Sequence, residues 1–98
     1  MKVYQVFISE RAERNLEHIL QYLEEEWSIK VKKEFLEELN TNFDRISVMP
    51  FLFPKSDKFE NLHKGLITKH AHIFYQVFED YIDIVTIQDT RQNPDFLK

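Results

Sequence analysis

At 98 residues the chain has room for one domain, 1–98, and no second core; 43% hydrophobic, 14% aromatic and 31% charged residues are an ordinary globular composition. A net charge of −4 argues against a non-specific nucleic-acid binder, whose phosphate contacts call for surplus Lys and Arg, and the lack of Cys excludes disulfides and thiolate chemistry. No run approaches the ~20 apolar residues of a membrane span, and Lys2, Tyr4 and Gln5 break up the opening run, so neither membrane nor signal peptide is expected and a cytoplasmic location is.

The opening "KVYQVFIS" is β-branched and aromatic and predicts a strand, with Tyr4, Val6 and Ile8 on one face and Val3, Gln5 and Phe7 on the other. Ser9 is placed to cap a helix, with Glu10 at its positive end. Ala12, Leu16, Ile19, Leu20, Leu23 and Trp27 then recur at helical spacing. Ser28 is a second cap, followed by the stripe Val31, Phe35, Leu39, Phe43 and Ile46, which Pro50 stops. So short a junction predicts an antiparallel helical hairpin, with Trp27 stapling it.

"PFLFPKSDKFEN" reads as a loop. "LHKGLITK" predicts a strand weakened by the chain's one Gly, and "HIFYQVF" and "YIDIVTIQ" predict two strands turning at Glu79-Asp80. The expected fold is therefore α+β: an N-terminal strand, the helical hairpin, and a three-stranded antiparallel meander, with both helices on one face of the sheet and the other face partly open.

Charge is unevenly spread. Residues 10–49 hold ten acids against six bases, whereas residues 55–72 hold Lys55, Lys58, Lys64 and Lys69 against Asp57 and Glu60, with His63, His70 and His72 added. Such lysines are ordinarily a solvated surface; the functional alternative is a patch for an acidic segment or a phosphate. His70 and His72, two apart in an extended segment, are expected to point the same way. With His63 or Asp89 approaching they could hold a metal ion, but no third ligand is evident, so neither metal nor cofactor is expected. Imidazole titrates near neutrality, which makes His72 a candidate general base. Arg91, just past the last strand, either pairs with Asp89 or Asp95 or meets a partner. Asn93-Pro94 reads as a turn stop.

The order and spacing of "ISERAERNLEHILQYL", "FLEELNTNFDRISVMP" and "HIFYQVFEDYIDIVTIQDTRQNP" resemble the RelE/ParE toxin superfamily of type II toxin–antitoxin systems, nearer its ParE-like, plasmid stabilization branch. The resemblance implies two helices on one side of a sheet and a cognate antitoxin whose C-terminal segment wraps the toxin. It also implies one of two actions: ParE-like members poison DNA gyrase, and RelE-like members cut mRNA in the ribosomal A site without a metal. For the second, Lys69 and His72 would transfer protons and Arg91 would clamp phosphate. For the first, Lys64, Lys69, His70, His72 and Arg91 would form an exposed face for target or antitoxin. Phe96 stands where RelE-like enzymes carry a tyrosine and cannot transfer a proton, which favours the contact-acting branch. Assembly with itself or with the antitoxin is a further expectation.

Overall fold

Two serines set the helical frame. In a computed structural model, which describes residues 1–91, Ser9 Oγ accepts the Ala12 N–H at 3.0 Å and Ser28 Oγ accepts the Val31 N–H at 3.1 Å. Each cap satisfies one of the orphan donors of a first helical turn, a contribution of about 1 kcal/mol. They open α1 (Glu10–Glu26) and α2 (Ile29–Val48). Only Trp27 and Ser28 lie between the helices, so the chain folds straight back, and Lys32 on α2 meets Glu24 on α1 at 3.5 Å.

The strands are β1 (Gln5–Ile8), β2 (His63–Ile67), β3 (Ala71–Val77) and β4 (Tyr81–Asp89), in the spatial order β1-β4-β3-β2. β2, β3 and β4 form the expected antiparallel meander, and β1 adds in parallel beside β4. The register brings Ile67, Ala71, Ile73, Tyr75, Ile82, Ile84 and Ile87 together with Ala12, Ile19 and Leu23 of α1 and Phe35, Leu39 and Ile46 of α2 as one buried core. Tyr4, Val6 and Ile8 pack against it from β1, as their shared face predicts. The helices thus cover one face of the sheet.

β4 looks apolar on both sides because it carries a bulge. Tyr75 pairs with Ile84 but Phe74 pairs with Thr86, leaving Val85 as the extra residue. The added residue switches the parity, so Ile82, Ile84 and Ile87 all reach the core. Beyond Ile84, β4 has lost its β1 neighbour, and α1 takes over that edge. Ser9 N–H donates to Ile84 O at 3.1 Å and Ser9 Oγ to Val85 O at 2.8 Å. Asn15 Oδ1 accepts the Ile87 N–H at 3.2 Å and Thr86 Oγ1 at 2.8 Å.

On the second face, register gives two cross-strand rows: Lys64–Phe74–Thr86 and Leu66–His72–Gln88. This face is only partly open, because the segment between α2 and β2 folds over it. Phe59 meets Phe74 edge-on at 5.2 Å, and Phe74 is buried. The same segment runs along the outer edge of β2, where Lys64 N–H donates to Pro54 O at 2.9 Å and Lys55 bridges to His63. On the helix-covered side the same segment explains Gly65, which pairs with Ile73: a Cβ would sit 2.6 Å from the Phe53 ring, so only glycine lets that ring approach. His63 Nδ1 donates to Phe53 O at 2.8 Å while its ring stacks on Tyr75, whose hydroxyl donates to Pro50 O at 2.8 Å.

Two sequence expectations need correcting. The strand predicted across 62–69 stops at Ile67, because Thr68 adopts a left-handed φ of 52° and starts a turn. Trp27 is not the end of a buried stripe; it caps α1 and is half exposed.

Candidate functional site

The left-handed turn after β2 decides where the basic residues go. Thr68 Oγ1 accepts the His70 N–H at 3.1 Å, which fixes the turn. Thr90, just past β4, then ties it down: its N–H donates to His70 O at 2.9 Å and its Oγ1 to Lys69 O at 2.6 Å. The end of the β2–β3 hairpin and the exit of β4 therefore form one tip beside the α1–α2 junction.

Three aromatic and ionic contacts organise that tip. Lys69 Nζ stands 4.4 Å over the Trp27 ring, and His70 meets the same indole edge-on at 5.0 Å. Trp27 Nε1 donates to Tyr22 Oη at 3.3 Å. The Arg91 guanidinium carbon lies 3.3 Å over the Tyr22 ring, while Nε donates to Asp89 Oδ2 at 2.8 Å and Nη2 donates to the same carboxylate. Ring quadrupoles attract such cations, and a planar guanidinium can stack and pair at once. The Asp89 carboxylate holds Arg91 above the ordinary guanidinium range, yet the arginine side chain is still 53% exposed.

The tip is flanked by two clefts. One of about 240 Å³ lies between the start of α2 and the turn, with Trp27, Phe35, Glu34, Lys69 and His70 in its walls. The other, about 130 Å³, lies between α1 and β4 and is bordered by Asn15, His18, Ile19, Asp89 and Arg91.

A family model described as the ParE toxin of type II toxin–antitoxin systems, parDE, matches residues 6–94. The chain belongs to that family. It is thus the toxin half of a type II toxin–antitoxin pair. The fold agrees. A chain of the chromosomal ParDE toxin–antitoxin system of P. aeruginosa superposes with a TM-score of 0.74 at 9% identity, over 89% of this chain and 96% of that one. The YoeB dimer from Staphylococcus aureus gives 0.61 at 14% identity, over 87% and 94% respectively. No curated protein sequence matches the toxin.

The basic residues singled out in the toxin's sequence fall into two groups. Arg91, Lys69 and His70 gather at the tip. Lys64 and His72 lie elsewhere, in the adjacent rows of the second face. A single face joining Arg91, Lys69 and His72 is not what the chain builds, and the Thr68 turn is the reason: it lifts Lys69 and His70 out of the strand before His72 enters β3. For the same reason His70 and His72 do not form a pair. Among the described residues no three His, Cys, Asp or Glu side chains are grouped as a metal site. Burial, then the Lys64 charge, lowers the His72 pKa; burial, then Lys69, lowers that of His70, with Asp89 opposing. Asp95, Phe96 and Asn93-Pro94 lie outside the described residues.

Asp89 is found where the sequence expects it, paired with Arg91, but two residues of the tip carry no site signal in the sequence: Tyr22 and Trp27. Tyr22 falls outside the α1 apolar stripe, and Trp27 reads as a staple of the helical hairpin. A cation on an aromatic ring far away in the chain leaves no local periodicity to find.

Proposed function

We propose that this ParE-family toxin acts by contact, docking its basic tip on a macromolecular target, DNA gyrase, and cutting no substrate itself. The observation that supports this most is the separation of the candidate groups. Metal-free RNA cleavage needs a base, an acid and a phosphate-stabilising cation converging on one phosphate. Here His72 sits on the second face of the sheet, while Lys69 and Arg91 sit at the tip, each already engaged by an aromatic ring. Rigid, half-exposed cations on rings suit protein recognition, where Arg and aromatic residues are the usual anchors. A cognate antitoxin covers the tip and silences it, laying a helix or strand against the helical hairpin and the sheet. The name of the P. aeruginosa relative, a ParDE toxin–antitoxin system, supports such a partner.

One feature favours the RelE-like reading: burial, and after it the Lys64 charge, lowers the His72 pKa and so favours the neutral imidazole that a proton acceptor needs. The two readings separate in one experiment, induction of the toxin without antitoxin while labelled thymidine and labelled amino acids are followed together. Contact with gyrase stops DNA synthesis first and leaves translation running. An immediate fall in amino-acid incorporation, with mRNA cut on ribosomes, would replace this reading with the interferase. Unimpaired growth would mean a protein that binds its antitoxin but is not toxic.

A further inference from the structure

The aromatic pair at the tip does more than fill space. Tyr22 lies on the last turns of α1 and Trp27 closes that helix, its N–H bonded to Leu23 O at 3.0 Å. The two cations they carry come from elsewhere, Lys69 from the β2–β3 turn and Arg91 from beyond β4. The indole-to-phenol hydrogen bond joins the rings, so the spacing of the two cations is set by one rigid helix end. Without the rings, Arg and Lys side chains would each sample many rotamers, and ordering them would fall to the binding step.

We infer that Tyr22 and Trp27 are positioning residues of the toxin: Tyr22 fixes the Arg91 guanidinium and Trp27 fixes the Lys69 ammonium, so that the tip meets its target already ordered. The inference rests on the reading that the tip is the working surface. It adds residues that need touch no target themselves. Asp89 shares the task, since its carboxylate takes both the side chain and, at 2.8 Å, the backbone N–H of Arg91.

The test is a double-mutant cycle read as the amount of toxin needed for half-maximal growth arrest, a readout that does not depend on which target is hit. Tyr22→Leu removes the ring and raises that amount by about fivefold, the scale of an exposed cation–ring contact, and Arg91→Ala, which removes the cation itself, raises it by about tenfold. Tyr22→Phe keeps the ring and stays within about threefold of the parent, as a lost exposed hydrogen bond would. The double variant Tyr22→Leu/Arg91→Ala is no weaker than Arg91→Ala alone. A structural marker accompanies these: the Arg91 Nε–H resonance, shifted by the ring current of Tyr22, loses that shift in Tyr22→Leu while its Asp89 partner and the rest of the amide spectrum are retained. If Tyr22→Leu fails to fold, Tyr22→Met takes its place in the cycle. Wild-type arrest by folded Tyr22→Leu, an unshifted Arg91 resonance, or losses that multiply in the double variant would overturn the inference. Full arrest by Arg91→Ala is a separate outcome, and it overturns the assignment of the tip itself.

Discussion

The tip and the second face of the sheet both collect basic side chains, but they are held in different ways. At the tip, Arg91 and Lys69 rest on Tyr22 and Trp27, and Arg91 is paired with Asp89. On the second face, Lys64 and His72 occupy neighbouring cross-strand rows; the loop carrying Phe59 covers Phe74 in the first, and Leu66 in the second stays exposed. The first arrangement holds charge on aromatic rings, which the proposed function assigns to a partner; the second is sheet register with aromatic packing over Phe74. The lesson is that a count of basic residues in a segment says little until the backbone decides which of them share a surface. Here one left-handed threonine divides them.

The strongest way to sharpen the comparison is to damage the sheet away from the tip, at β2 on its helix-covered face, and watch the tip. Gly65→Ala drives a methyl into the Phe53 ring, and overpacking of this kind costs about 1–3 kcal/mol, outweighing what a strand gains on losing glycine. The melting temperature should fall, while fluorescence of Trp27, the sole tryptophan, keeps the parent spectrum below the transition. A changed spectrum would show the two regions to be coupled.

Asn15→Ala is the complementary cut on the tip side. It leaves the Ile87 N–H and the Thr86 hydroxyl without their acceptor at the free edge of β4, at a cost of about 1–2 kcal/mol. Amide exchange of Ile87 should accelerate far more than that of Ile73, its partner on β3. Equal acceleration at both would mean that the edge is closed by something other than Asn15.

A smaller effect separates the regions by pH. Burial lowers the pKa of both His70 and His72 below the unfolded value, so the unfolded chain binds protons first. Their contribution to stability is complete above about pH 6.5 and is lost as pH falls through the lower folded values. Denaturant midpoints from pH 7.5 down to 5 should therefore decline, and His72→Gln should flatten the decline. An unchanged slope would place the titration elsewhere.

Much of the fold was readable because it is local. Ser9 and Ser28 announce their helices, the apolar stripes follow a helical period, and Glu79-Asp80 marks the turn between the last two strands. Three features were not readable. The parallel docking of β1 beside β4 is a contact between the two ends of the chain. The bulge at Val85 was not readable either, since the switch of the isoleucines from even positions (Ile82, Ile84) to odd (Ile87) is blurred by Val85 itself. A left-handed φ at Thr68 goes against what β-branched residues ordinarily adopt. The site suffered most from the last, since the turn moves Lys69 and His70 to the helix side and leaves His72 behind.

The central claim is that the toxin works through its tip by contact with gyrase. The direct measurement is gyrase supercoiling with purified components, titrated with the parent toxin, with Arg91→Ala, and with the double variant Lys64→Ala/His72→Ala. The account predicts inhibition by the parent, potency lower by about tenfold or more for Arg91→Ala, and near-parent potency for the second-face variant. Parent-like potency in Arg91→Ala together with loss in Lys64→Ala/His72→Ala would contradict it, as would a parent toxin that leaves gyrase untouched.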